Sequence, residues 1–347
     1  MRVRLLLVSI ALVVVWQAGL PAERDHAGTG LVQVTALGSH AGELCRNDRA
    51  LLFEDPTGVR ILYDPGRTVD ETDARLGAVH AMLLSHAHVD HTGDVRPNSA
   101  NPGTCATPAT AAPNPQSNFA TIAAAKNAAV LVPGELSGFF SRKIQNVRAT
   151  PTPACPAVTI DNRIDVPRTS PCTASIRPGG SYTVSNGGAD AVRIAAVQAV
   201  HSNGIPAALI DPPGLPPGLT GYGGGEAGFV VSFTNGLTAY LTGDSGMFGD
   251  QETIIARFYK ANLMVINMSD QVTFGPREAA FVTRELVRPR TVMPSHVNEA
   301  ATSGGQIVAG TRVALFQSLL RRDVALVLPL SDVTRAFDGE GRCVECN

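Results

Sequence analysis

The chain has 347 residues, 44% of them hydrophobic and 17% charged, with a formal charge of −2 at pH 7. That length and apolar content are ample for a sizeable core and exclude a wholly disordered chain. The balanced charge leaves no electrostatic footprint for nucleic acid or for an anionic membrane surface, so the expected partner is a small-molecule substrate recognised by a site.

At the amino terminus, Arg2 and Arg4 precede the apolar stretch Leu5 to Val15, and small residues follow up to Ala22. This reads as a signal peptide over 1–22. The apolar run is shorter than the roughly 20 residues a membrane span needs, and no later stretch qualifies. The expectation is an exported protein, periplasmic or secreted, with no stable membrane insertion once the signal is cleaved. Six cysteines fit export, because an even count in an exported chain usually means disulfides. Cys155 and Cys172 bracket a Pro-rich stretch and are the expected pair. Spacing leaves the rest open, although Cys343 and Cys346 lack a second Cys pair at matching spacing and suit a disulfide better than half a zinc site.

Apolar runs at Leu31 to Leu37, Ala50 to Phe53 and Val59 to Tyr63 predict strands. Asp55-Pro56-Thr57-Gly58 predicts a hairpin turn between the second and third. Asp64 ends the third strand, and a further strand, Ala81 to Leu84, leads into Ser85-His86-Ala87-His88-Val89-Asp90-His91. The segments 96–116 and 151–175 are rich in small residues, Pro, Asn and Thr, and read as surface insertions outside the core. Between them the pattern predicts helix over Phe119 to Ala129, strand over Val130 to Val132 and helix over Gly134 to Ile144.

Strands are predicted again at Ser181 to Val184 and Val192 to Val200, the latter ending at His201. The Pro- and Gly-rich stretch 206–225 excludes a regular element and reads as a flexible loop beside the site. Thr234-Asn235-Gly236 predicts a hairpin between Phe229 to Phe233 and Leu237 to Leu241, which ends in Thr242-Gly243-Asp244. Helices over Gln251 to Tyr259 and Arg277 to Val287 alternate with strand Leu263 to Ile266 and with Thr291 to Met293, which leads to His296. Gln306 to Arg321 reads as an amphipathic helix before a last strand, Val324 to Leu328. Residues 331–347 form a Cys-containing tail.

Three of the eight histidines crowd into residues 86 to 91 beside an aspartate. Histidines at i and i+2 on extended chain point to one side, and a bend can bring Asp90 and His91 round to a neighbouring point. One segment can therefore feed two adjacent metal ions, since imidazole nitrogen and carboxylate oxygen hold zinc and other first-row divalent ions. His201, Asp244 and His296 each follow a short apolar run in the same way. His26, His40 and His80 are left unassigned, with His40 in a Gly-containing turn that could approach the site.

The order Asp64, His86-x-His88-x-Asp90-His91, His201, Asp244, His296 resembles the five-motif pattern of the metallo-β-lactamase fold superfamily. Within it, Ala227 to Val231, Thr242 to Asp250, Phe274 to Ala280 and Met293 to Asn298 resemble the UlaG-like branch of metal-dependent hydrolases and lactonases. The resemblance implies an α/β fold, an αββα four-layer sandwich, with one domain over 31–330. It implies two divalent metal ions, zinc, with manganese or iron as alternatives. His86, His88 and His201 would hold the first ion, Asp90, His91 and His296 the second, and Asp244 would bridge them. Asp64 would orient the metal-binding loop from outside, and Asp90 would exchange a proton during catalysis. The implied activity is hydrolysis of an ester, lactone or phosphodiester by a metal-bridging hydroxide. The alternatives are an iron-dependent oxidoreductase, such as a persulfide dioxygenase, and a β-lactamase. No run of basic residues marks a phosphate pocket, which favours a neutral ester or lactone over a phosphorylated sugar. The export signal, the insertions and the cysteines depart from that mainly cytoplasmic branch.

Overall fold

The computed structural model describes residues 30–97, 103–107, 111–156, 161–210, 215–216 and 218–346. The expected signal peptide lies outside them, as does His26. Two sheets stack face to face. The first, seven-stranded, runs in the order Thr334–Phe337, Val32–Ala36, Leu51–Glu54, Arg60–Tyr63, Ala81–Leu83, Ala129–Pro133, Cys172–Ile176. The second, eight-stranded, runs Ala325–Leu326, Thr291–Ser295, Leu263–Asn267, Thr238–Leu241, Ala227–Ser232, Val192–Gln198, Ser181–Ser185, Arg163–Asp165.

Side-chain alternation along the strands explains the layers. Phe53, Ile61, Tyr63, Leu83 and Leu131 of the first sheet meet Phe229, Val231, Leu241 and Val265 of the second in one buried core. The intervening Leu52, Leu62, Met82 and Val130 face outward onto Phe119 and Phe140 of helices Asn118–Lys126 and Leu136–Arg148. On the other side Val230, Tyr240, Met264 and Val292 pack against Ile255, Ala279, Val313 and Phe316. Both faces of each central strand are covered, so Ala81-Met82-Leu83-Leu84 is a continuous apolar run rather than an alternating one. The result is an αββα four-layer sandwich.

Strand direction decides where the site falls. Arg60–Tyr63, Ala81–Leu83 and Ala129–Pro133 are parallel neighbours, as are Thr238–Leu241, Leu263–Asn267 and Thr291–Ser295. Val192–Gln198 pairs antiparallel with Ala227–Ser232, which is itself antiparallel to Thr238–Leu241. Two reversals restore direction, so Val192–Gln198 points its carboxyl end to the same rim as Thr238–Leu241.

Several segments differ from the sequence expectation. The Pro-rich stretch before Cys172 is not wholly outside the core: Arg163–Asp165 pairs parallel with Ser181–Ser185, and Ile164 and Val166 are buried. Three residues are too short to show a period. The stretch 206–225 holds regular structure, since Gly204–Pro206 and Thr220–Tyr222 form an antiparallel ribbon. The helix expected over Gln306 to Arg321 is only Arg312–Leu319, because Gln306–Ile307 pairs with Thr302–Ser303 and Gly310 takes a positive φ before Thr311 caps the helix. The tail is not an appendage: Thr334–Phe337 pairs with Val32–Ala36 and closes one edge of the first sheet. The cysteines pair as Cys45–Cys105, Cys155–Cys172 and Cys343–Cys346. No helix among the described residues is long and apolar enough to cross a membrane.

Asp55 joins the two sheets at the rim opposite these strand ends. Its buried carboxylate accepts from Thr57 N at 2.9 Å in its own turn, and from Thr234 N at 2.9 Å and Thr234 Oγ1 at 2.8 Å in the turn of the other sheet. Asp55→Ala strands two backbone N–H groups and should cost roughly 2–4 kcal/mol, read as a lowered midpoint in urea denaturation. A midpoint equal to the parent's would show that the turns are held by packing alone.

Candidate metal centre

All the strand-end ligands expected from the sequence arrive at one rim. Asp64 follows Arg60–Tyr63; His86 and His88 follow Ala81–Leu83; His201 follows Val192–Gln198; Asp244 follows Thr238–Leu241; His296 follows Thr291–Ser295. Asp90 and His91 stand on the single helical turn Val89–Thr92, which Gly93 ends in a left-handed conformation at φ 73°. A Cβ on Gly93 would sit 2.5 Å from the carbonyl oxygen of Gly66, so the turn can close only on a glycine.

These side chains form three overlapping groups that could each hold a metal ion: His86, His88 and His201; His86, His91 and Asp244; and Asp90, His91 and His296. In the first, His88 Nδ1 lies 2.9 Å from His86 Nε2 and 3.2 Å from His201 Nε2. Ligands about 2.0–2.1 Å from a tetrahedral zinc stand about 3.3 Å apart, so this spacing fits a shared cation. In the last, His296 Nε2 lies 3.1 Å from Asp90 Oδ2. Asp244 stands between. Its Oδ2 is 3.9 Å from His86 Nε2, 3.8 Å from His201 Nε2, 3.4 Å from His91 Nε2 and 3.6 Å from His296 Nε2.

The surrounding polar atoms fix which nitrogen points inward. Asp64, held at φ 40°, accepts from Ser85 N at 2.8 Å, Ser85 Oγ at 2.7 Å and His91 Nδ1 at 2.8 Å. With Nδ1 donating, His91 Nε2 faces inward, and this buried atom has no hydrogen-bond partner among the described residues. A buried ring nitrogen with no partner, aimed at two carboxylates, fits a metal ligand. Ser85 Oγ contacts His86 Nδ1 at 2.9 Å and leaves Nε2 inward.

Electrostatics agree with a cation site. Burial, and next the His91 charge, push His86 well below the ordinary histidine value. Burial, and then neighbouring cationic groups, lower His88 and His296. Neutral imidazole is the ligand form. Burial would raise the Asp244 carboxyl, but His296, His91 and His86 hold it well below the usual range. Burial likewise opposes ionisation of Asp90, and the Arg49 guanidinium overrides it. His91 alone goes the other way, pushed up to about 10 because Asp244, Asp64 and Asp90 outweigh its burial, so a cation would bind its Nε2 in exchange for a proton.

Several contributors carry no sequence signal of their own. Arg49 Nη1 donates to Asp90 Oδ2, and the Arg49 side chain is only 2% exposed. Asn267 Nδ2 donates to Asp244 Oδ1 at 2.8 Å. Glu226 Oε1 accepts from His201 N at 2.7 Å, and Asn203 Oδ1 accepts from Ala87 N at 2.8 Å. The two described unassigned histidines stay outside: His40 contacts Ser39 Oγ and the Gly103 carbonyl, and His80 accepts from Arg60 N.

Comparison with known proteins gives related sequences. No family model matches the chain. A UPF0173 metal-dependent hydrolase of Cupriavidus necator is 35% identical over 135 residues, 39% of this chain and 45% of that protein. One from Thermodesulfovibrio yellowstonii is 38% identical over 118 residues, 34% and 40% of the two chains. The chain thus spans less than half the length of these curated relatives in the match. A third, from Polynucleobacter asymbioticus, is 25% identical over 289 residues, 81% of this chain and 80% of that one. Among solved structures, a metallo hydrolase from Ignicoccus hospitalis is similar at a TM-score of 0.49 and 18% identity, covering 88% of this chain and 98% of its own.

Removing the Asp64 carboxylate should free Ser85 and let His91 rotate. Asp64→Ala is expected to weaken zinc binding about 10- to 100-fold, measured by competition with a chromophoric chelator; an unchanged affinity would contradict the orienting role.

Proposed function

We propose that this chain is a member of the metallo-β-lactamase fold superfamily and an exported metal-dependent hydrolase with two ions in its cleft. His86, His88 and His201 would hold the first ion and Asp90, His91 and His296 the second, with Asp244 placed to serve both. The observation that carries this reading is the position of Asp244 Oδ2, within 3.9 Å of imidazoles from both groups. The donor set of imidazole and carboxylate suits zinc, and manganese or iron as alternatives.

Cations held there would supply an acidified water in the neutral range and would polarise the oxygen of a scissile carbonyl or phosphoryl group. The chain's own residues do the rest. Asp64 and Ser85 hold His86 and His91 in the ring orientations that point Nε2 inward. Asn267 occupies one oxygen of Asp244, leaving the other to face the histidines. Asp90, on the rim and 26% exposed at its side chain, is the one carboxylate of the set within reach of a substrate leaving group. Arg49 beside it favours the ionised form, so Asp90 stands as a carboxylate and would pass on a proton rather than hold it. The substrate class is an ester, lactone or phosphodiester. The hydrolase names of the related proteins support the reaction type. Three cysteine pairs with no free thiol among the described residues support an oxidising compartment, periplasmic or extracellular.

Elemental analysis of the purified protein should give close to two ions per chain; one or none after loading would end the dinuclear reading. Asp244→Ala should lower turnover by at least about 100-fold on whichever member of a panel of lactones, carboxylic esters and phosphodiesters the parent cleaves. Parent-like turnover in that variant would refute the bridging role.

A further inference from the structure

Behind the helical turn that carries Asp90 and His91 lies a buried charge pair that takes no part in the site chemistry described above. The helix Leu136–Arg148 buries Leu136, Phe140, Lys143 and Ile144, which fall on one face. A lysine on such a face is tolerated only when its charge is paired. Lys143 is 5% exposed, and its ammonium donates to Asp94 Oδ1 and, at 2.8 Å, to the Pro115 carbonyl, with the Phe139 ring centre 5.1 Å away. Asp94 is 2% exposed.

A chain of contacts runs from Asp94 to the candidate ligands. Asp94 Oδ2 accepts from Thr92 Oγ1, which also lies 3.2 Å from the His88 carbonyl oxygen. Thr92 has a single hydroxyl proton, and the ionised carboxylate is the stronger acceptor. The His88 carbonyl takes its hydrogen bonds from His91 N at 2.9 Å and Thr92 N at 3.0 Å, which close the turn. The backbone on either side is held as firmly. Asn114 N donates to the Asp94 carbonyl at 2.6 Å, Asn114 Nδ2 to the Gly93 carbonyl at 3.0 Å, and Gly66 N to the His91 carbonyl at 3.0 Å. Asn118 Nδ2 in turn donates to the Gly66 carbonyl at 3.0 Å. Thr92, His91 and Asn118 are fully buried, so these bonds are shielded from competing water.

Burying an ion pair strips both charges of water, and apolar residues of the same volume are often as stable in its place. Apolar packing admits several arrangements, whereas an ammonium, a carboxylate and a hydroxyl in line admit one. We propose that Lys143, Asp94 and Thr92 form a brace that positions the turn Val89–Thr92 and so aims Asp90 and His91 at the second metal group. They are positioning residues, and none of the three is a candidate ligand. The proposal rests on the metal-centre reading, since it concerns how that centre's ligands are held.

The test is titration of cobalt(II) into the metal-free full chain, following the visible absorption bands that report ligand geometry. Parent, T92S, T92V and K143M/D94L are compared, with urea denaturation of each metal-free protein alongside. The second equivalent of cobalt should bind about tenfold or more weakly in T92V and in K143M/D94L, with altered bands. T92S, which keeps the hydroxyl, should match the parent, and K143M/D94L should keep a urea midpoint close to the parent's. Parent-like cobalt binding and bands in both T92V and K143M/D94L overturn the brace. So does a loss confined to K143M/D94L that accompanies a lowered urea midpoint, because the pair then serves stability alone. A parent that binds no cobalt overturns the metal reading and the brace together. A parent that binds a single cobalt overturns the dinuclear reading, and the brace survives it only if T92V, and not T92S, alters that ion's bands.

Discussion

A carboxylate that is 3% exposed, with one oxygen surrounded by four imidazole rings, is the constraint from which the rest of this structure follows. Burying Asp244 as an anion costs several kcal/mol unless positive charge or hydrogen bonds compensate it. Asn267 satisfies one oxygen, and the other faces atoms that are acceptors when the histidines are neutral. Neutral imidazoles and an ionised carboxylate repel one another's lone pairs at this range, so the arrangement is stabilised when cations sit between them.

The four-layer frame makes that concentration of polar groups tolerable. Strands from both sheets end at one rim, each just short of a candidate ligand, so these positions inherit the rigidity of the sheets. Outer hydrogen bonds then orient several of them: Asp64 on His91, Ser85 on His86, Glu226 on the backbone of His201, and Asn203 on the backbone between His86 and His88. The opposite rim does the mechanical work, with Asp55 and Thr234 pinning the sheets together. The chemistry and the clamp lie at opposite ends of the same strands.

Much of this was legible in the sequence because it depends on local pattern. Short apolar runs followed by His or Asp located the strand ends, and the Asn235-Gly236 turn located the central hairpin. The layers were legible only through the family resemblance. What escaped was non-local or too short to be periodic. Arg163–Asp165 and Gln306–Ile307 are strands only because a neighbour pairs with them. The ribbon between Gly204 and Tyr222 was hidden by the Pro and Gly residues of its loop. Arg49, Asn267 and Glu226 precede or follow apolar strands like many surface residues, and nothing in their spacing tells that each reaches a ligand.

The proposed centre places two cations on either side of Asp244. Anomalous X-ray scattering from crystals of the metal-loaded protein, collected on either side of the zinc absorption edge, addresses this directly. Two peaks are expected, one among His86, His88 and His201 and one among Asp90, His91 and His296, with the Asp244 carboxylate between them. A single peak, or peaks remote from Asp244, would contradict it.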